Sequence, residues 1–109
     1  MRNGIYRVSY KAGGATGVTA VLVLDRDVVG CDSTHTFTAT FDKDKDWLTA
    51  DIICRRHTKD RKPHLLPEID ECHLRLEGPA KNEFAKLHGN IAELPGVEMD
   101  VEFVWLCEL

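Results

Sequence analysis

Hydrophobic and polar residues alternate along most of this 109-residue chain, most regularly between residues 28 and 57. From residue 35 to 41 one face carries His, Phe, Ala and Phe, and the other carries threonine. From residue 47 to 56 the apolar face is Leu48, Ala50, Ile52 and Cys54. A period of two is the signature of a half-buried strand. The two runs predict a β-hairpin joined by the charged segment 42–46.

Other segments of the chain show the same strand pattern, separated by Gly, Pro and Asp turns. Residues 84–91 also fit helical spacing, but Gly89 weakens a helix and favours a strand. Pro63 and Pro67 lie in the segment that leads to residue 71, which makes a central strand there unlikely and favours a short helical turn or an irregular crossing. The remaining predicted strands are residues 4–10, 16–24, 28–30, 71–76 and 97–107.

About eight short strands with at most one short helical turn predict an all-β, antiparallel fold. The length is typical of one domain, so residues 1–109 are expected to share a single core. A small up-and-down barrel would remove the exposed sheet edges and leave an interior for side chains or one small ligand. A β-sandwich remains the alternative.

Composition narrows the class of protein. The chain is 43% hydrophobic and 29% charged, as in ordinary globular proteins, and its net charge of −4 argues against direct nucleic-acid binding. No apolar run approaches the ~20 residues that span a membrane. No secretory signal is visible, so a cytoplasmic location with four reduced cysteines is expected. At this length no cofactor or structural metal is required for folding.

The charged segment between the central strands is the strongest candidate for an interaction site. Asp42, Asp44 and Asp46 have the spacing of the first carboxylates in a calcium-binding loop. That loop requires Gly at its sixth position and Glu at its twelfth, where this chain has Trp47 and Ile53. Two readings remain, a soluble hairpin turn and a recognition loop. The candidate residues are Asp42, Lys43, Asp44, Lys45 and Asp46.

Metal ligation is not favoured by the positions of the cysteines and histidines. Cys54 and His57 are three residues apart on one strand, and Cys72 and His73 are adjacent. Side chains at both spacings point to opposite sides of a strand, so neither pair converges on one ion. The sequence therefore predicts no metal site.

Catalytic chemistry is also not favoured. Ser33 and His35, with Asp32, suggest a hydrolase, but the nucleophile-elbow pattern and an oxyanion loop are missing. A turn leading into a strand explains these residues. No catalytic residue is predicted.

Two groups of apolar residues have candidate roles beyond the core. Phe37, Phe41 and Trp105 could line a ligand cavity, as could Trp47, although ordinary core packing is the simpler reading. Residues 18–24 are apolar at nearly every position, which fits a strand with an outer face against a second subunit. Val21 and Val23 are the candidate dimer contacts.

Several motifs in residues 4–57 resemble the GrlR family, small negative regulators linked to type III secretion gene clusters. A short strand with Gly4, Ile5 and Tyr6 is followed by a G-x-D segment at residues 30–32, an aromatic strand and an exposed charged loop. The C-terminal half matches only through its strand pattern and the turn at Pro95. The resemblance implies a lipocalin-like β-barrel, dimeric and without catalytic chemistry.

The same resemblance implies a function. The best-known family members sequester a transcriptional activator through an acidic loop, and the matching positions here are Lys43, Asp44, Lys45 and Asp46. The family loop has four consecutive acids, whereas lysine alternates with aspartate in this chain, which weakens attraction to a basic surface. We therefore expect a non-enzymatic protein that regulates transcription by protein contact. The alternative is a carrier or sensor of a small apolar ligand.

Overall fold

A computed structural model describes residues 1–59 and 69–109 of the chain. All regular structure in this part is antiparallel β: each strand pairs with the next in chain order, and the last pairs with the first, closing a barrel. The predicted all-β barrel is confirmed, and closure excludes the sandwich. The strands are β1 (Gly4–Ala12), β2 (Ala15–Leu24), β3 (Asp27–Cys31), β4 (His35–Asp44), β5 (Trp47–Arg56), β6 (Glu71–Pro79), β7 (Phe84–Ile91) and β8 (Glu98–Cys107).

Local sequence explains several of these boundaries. Gly13 and Gly14 connect β1 to β2 with positive φ angles of 55° and 87°, which glycine adopts at little cost. Residues 84–91, which fit both helical and strand spacing, form a strand, as Gly89 indicated. The helical turn or irregular crossing predicted around Pro63 and Pro67 lies mainly on residues 60–68, outside the described residues. The segment that follows, β6, is paired on both sides, so the expectation against a central strand is wrong from Glu71 onward. Across the two described ranges, no helix could cross a membrane.

Alternating side chains fill the barrel from every strand. On β5 the inward residues are Leu48, Ala50, Ile52 and Cys54, as their spacing predicts. The outward face of the same strand carries threonine, aspartate and arginine. The largest fully buried side chains are Tyr6, Leu76, Leu87, Ile91, His35, Val23, Cys54 and Cys72.

The two valines predicted as dimer contacts point into the barrel. Val21 and Val23 are 5% and 0% exposed, and both line the interior. Val21 pairs with Tyr6, which is also fully buried, and this register fixes which face of β2 is inside. The prediction that these valines form an outer face is wrong. Because β2 is apolar on both faces, its own pattern could not separate inside from outside.

Candidate functional site

The charged segment between β4 and β5 forms a tight hairpin rather than a loop. Asp44 pairs with Trp47, so only Lys45 and Asp46 make the turn. The chain reverses through Lys45, whose φ of 57° lies in the left-handed region. The strand β4 therefore runs three residues beyond its predicted end at Phe41. We call residues 42–47 the hairpin tip.

All five charged side chains of the hairpin tip are exposed, but its charges are largely balanced. Arg26 forms an ion pair with Asp42, and the Lys81 Nζ lies 3.4 Å from the Asp46 Oδ2. These pairs are well exposed and each contributes little to stability. Counting Lys43 and Lys45, four cationic side chains accompany three carboxylates. The hairpin tip thus presents mixed charge and no acidic surface.

Trp47 adds a large apolar group to the same surface. Its side chain is 49% exposed on the outer face of β5, and its strand neighbours there are Asp44 and Pro79. Trp47 does not line the interior cavity, so the prediction of a cavity role for this residue is wrong. The signal was present in the sequence, because Leu48 belongs to the inward face and adjacent strand residues point to opposite sides. Exposed tryptophans are frequent anchors of protein interfaces.

The barrel interior contains an apolar cavity with a volume of about 70 Å³. Phe37 and Phe41 line it. Trp105 does not: its Nε1 donates a hydrogen bond to the Asn3 carbonyl oxygen at 3.2 Å, and the Arg2 guanidinium lies 3.9 Å from the ring centre. Trp105 therefore covers one end of the barrel beneath the N-terminal residues instead of forming a ligand wall.

The cavity is small for a ligand site. An engineered protein cavity that binds benzene has a volume of about 150 Å³, and drug-sized ligands need about 300 Å³ or more. Side chains fill most of this interior, so a carried ligand would require them to move. The geometry therefore favours the outer surface over the interior as the place of function.

One polar pair borders the cavity. The Tyr10 hydroxyl donates to the Asp32 Oδ2 at 3.2 Å, and burial, followed by the charge of Asp32, raises the pKa of Tyr10 to about 12. The other oxygen of Asp32 accepts hydrogen bonds from the backbone N–H groups of Thr34 and His35, both at 2.8 Å. Asp32 thus fixes the turn that leads into β4.

The residues considered for hydrolysis serve this turn. His35 is 1% exposed, and its ring nitrogens lie 2.8 Å from the Thr34 Oγ1 and 3.1 Å from the Ile69 carbonyl oxygen. Ser33 is exposed. The buried imidazole, held by the Thr34 hydroxyl and the Ile69 carbonyl, connects this turn to the segment two residues before β6, which is a structural role.

The cysteines and histidines considered for metal binding lie on opposite faces. Cys54 and Cys72 are buried, whereas His57 and His73 are exposed on the outside. In the part of the chain that the structure describes, no three His, Cys, Asp or Glu side chains form a group that could hold a metal ion. Cys54 instead faces Cys72 across the sheet, a pairing that the sequence analysis missed.

The class of protein defined by these features is a small closed β-barrel with a filled interior and an exposed, mixed-charge hairpin. In comparisons with known proteins, no family model matches the chain, and no curated protein matches it.

Proposed function

We propose that this protein is a non-enzymatic, cytoplasmic binding protein that acts by contact of the hairpin tip with a partner protein. The observation that carries the proposal is the exposed Trp47 beside the five exposed charged side chains of the hairpin tip. A rigid hairpin presents these groups with little loss of conformational entropy on binding, and an exposed aromatic ring supplies the apolar contact area.

The resemblance to the GrlR family supports a regulatory role, namely sequestration of a transcriptional activator. The hairpin tip lies where that family has its acidic loop. Here Arg26 and Lys81 accompany Asp42 and Asp46, so a strongly basic partner surface is not the best complement. We infer a partner surface with an apolar pocket for the indole ring, bordered by both acidic and basic groups.

The first experiment is affinity capture with the immobilised protein, followed by mass spectrometry, with Trp47→Ala and Asp44→Lys as test variants. A partner captured by the unaltered protein is expected to lose at least about tenfold in affinity for Trp47→Ala, as for an interface anchor. Glu98→Lys, an exposed charge change on β8, is the matched control.

The thermal midpoint of each variant checks folding, because these side chains lie on the surface. Equal capture of the same partner by the unaltered protein and by Trp47→Ala would remove the hairpin tip from the mechanism. An activator encoded beside this gene would be the first purified partner to test.

The second candidate function, binding of a small apolar ligand, rests on the apolar cavity beside Phe37 and Phe41. At about 70 Å³ the cavity holds only a few carbon atoms unless side chains move. Native mass spectrometry distinguishes the two functions. A constant extra mass on the folded protein would show a bound small molecule and support the carrier function. A mass equal to that of the polypeptide alone would favour protein contact.

A further inference from the structure

Residues 1–3 lie outside the strands and cover the end of the barrel at which β1 begins. The Met1 side chain packs against the core and forms part of the cavity wall. The Asn3 Oδ1 accepts a hydrogen bond from the Asp25 N–H of the β2–β3 turn at 2.7 Å. We call residues 1–3 the capping segment, because they close the cavity at this end.

Gly4 joins the capping segment to the barrel. Its φ of 142° is a conformation that residues with a side chain rarely adopt. A Cβ atom at this position would overlap the Cys107 carbonyl oxygen and the Trp105 Nε1. Glycine also has the widest choice of backbone conformations. The capping segment can therefore swing about Gly4 while β1 stays paired with its neighbours.

The contacts that hold the capping segment in place are polar and lie near the surface. The Arg2 N–H donates to the Asn82 carbonyl oxygen at 2.7 Å. The Arg2 guanidinium, which lies over the Trp105 ring, is 3.0 Å from the Glu83 Oε1 and 2.5 Å from the Glu108 Oε1. The Arg2 side chain is 35% exposed and both carboxylates are more exposed, so water screens these ion pairs and each contributes little.

Opening of the capping segment leaves the buried hydroxyl at this end with a hydrogen-bond acceptor. The Tyr6 hydroxyl lies 2.5 Å from the Arg2 carbonyl oxygen and 3.2 Å from the Asn82 carbonyl oxygen. Since Asn82 belongs to the β6–β7 connection, Tyr6 keeps this acceptor when Arg2 moves away. The main cost of opening is the exposure of Met1 and the apolar wall behind it, and a bound apolar molecule would cover that wall again.

We propose that the capping segment is a lid, hinged at Gly4, that opens to admit a small uncharged apolar molecule to the barrel interior. The proposal rests on the second candidate function, ligand binding. The closed cavity of about 70 Å³ is smaller than the ~150 Å³ that holds benzene. Departure of the Met1 side chain enlarges the space at the end lined by Val23, Phe41 and Leu48, whose side chains are all apolar.

Hydrogen exchange followed by NMR tests the lid without a ligand. The Trp105 indole N–H donates to the Asn3 carbonyl oxygen and becomes free to exchange when the lid opens. The slowest backbone amides of β6 exchange only when the barrel unfolds. After correction for intrinsic rates, we expect the indole N–H to exchange at least about a hundredfold faster than these amides. Equal rates would overturn the lid, whether or not a ligand binds.

Arg2→Gln tests the contacts that keep the lid closed. The substitution removes two ion pairs and the cation over the Trp105 ring, so exchange of the indole N–H should become about tenfold faster. Arg75→Gln removes an exposed ion pair with Asp51 on the outer face of the barrel and is the matched control. It should leave the indole exchange unchanged. An Arg2→Gln variant that exchanges no faster than this control would overturn the proposal.

Benzene is the probe for the opened cavity. Its addition should shift the NMR signals of Val23, Phe41 and Leu48, and it should associate faster with Arg2→Gln than with the unaltered protein. Rapid indole exchange with no shift from benzene would refute ligand binding and, with it, the role of the lid. Benzene shifts with equal association rates in the two proteins would place the entrance elsewhere and overturn the lid alone.

Discussion

At the scale of single residues, two outward-facing histidines lie against carboxylates of neighbouring strands or turns. The His73 Nδ1 lies 2.6 Å from the Glu93 Oε2, and the His88 Nδ1 lies 2.7 Å from the Asp100 Oδ1. The hydrogen bonds raise the pKa of His88 and lower the pKa of Glu93. All four groups are open to solvent, so water screens these pairs, and their effect is a shift in titration more than a large gain in stability.

Replacing Asp100 by Asn should lower the pKa of His88 toward its ordinary value of 6.5, because the Asp100 hydrogen bond is the main cause of the increase. The imidazole signals of His88, followed by NMR across a pH titration, measure this change. The contribution of His88 to stability is fully present below pH 6.5 and is lost as the pH rises through its higher folded-state pKa. Asp100→Asn should weaken that pH dependence, because Glu98 still raises the pKa of His88.

Glu98→Gln is the matched control for this titration. The Glu98 Oε1 lies 4.0 Å from the His88 Nε2, and its charge raises the pKa of His88 less than Asp100 does. Glu98→Gln should therefore lower the pKa of His88 less than Asp100→Asn does. An equal effect of the two substitutions would contradict the assignment of Asp100 as the main partner.

At the scale of the elements, two glycines allow β6 and β7 to approach closely. A Cβ atom added to Gly89 would overlap the Arg75 carbonyl oxygen, and one added to Gly78 would overlap the Lys86 carbonyl oxygen. From the sequence, Gly89 served only as evidence against a helix over residues 84–91. The structure shows that the missing side chain is needed for strand pairing, since the backbone of the neighbouring strand occupies its place.

Gly89→Ala should therefore destabilise the barrel by about 1–3 kcal/mol, the usual cost of forcing extra atoms into a packed region. Urea denaturation measures the loss. Asn90→Ala, at the next and exposed position of β7, is the matched control and should change stability by about 0.5 kcal/mol or less. A Gly89→Ala variant as stable as its control would show that the strands separate without cost.

At the scale of the whole molecule, the barrel carries an apolar band on its outer surface. Leu22 pairs with Ile5 on one side and Val29 on the other, and all three side chains point outward. Val29 is 45% exposed, and Val18, also outward on β2, is 65% exposed. This band is where a second copy could bind, in place of the inward-facing Val21 and Val23, and we expect the protein to be a homodimer through it.

Val29→Lys should convert the expected dimer to a monomer, because a charge placed in a buried apolar contact loses its water without gaining a partner. Light scattering at micromolar concentration measures the mass. Glu77→Lys, on the outer face of β6 across the barrel, is the control and should leave the dimer intact. A monomeric mass for the unaltered protein would refute the dimer itself.

The sequence alone determined the class of fold and most of the strands. Period-two alternation is a local property, so β4, β5 and β8 could be placed from their own residues, and the paired glycines marked the first turn. The inward face of β5 followed from the same alternation. Closure of the barrel was predicted from the number of short strands and the chain length, since few other arrangements bury so many strand faces in a chain of this size.

Only the tertiary structure decided the features that depend on neighbouring strands. Register with Tyr6 turned Val21 and Val23 inward, because a strand apolar on both faces carries no signal of its own. Side-chain packing filled the interior. The hydrogen bond to the Asn3 carbonyl oxygen and the contact with Arg2 hold Trp105 away from the cavity wall. The pairing of Cys54 with Cys72 joins residues from separate strands, so no local pattern could reveal it. Alternation within a strand is local, whereas register and packing arise only when distant segments meet.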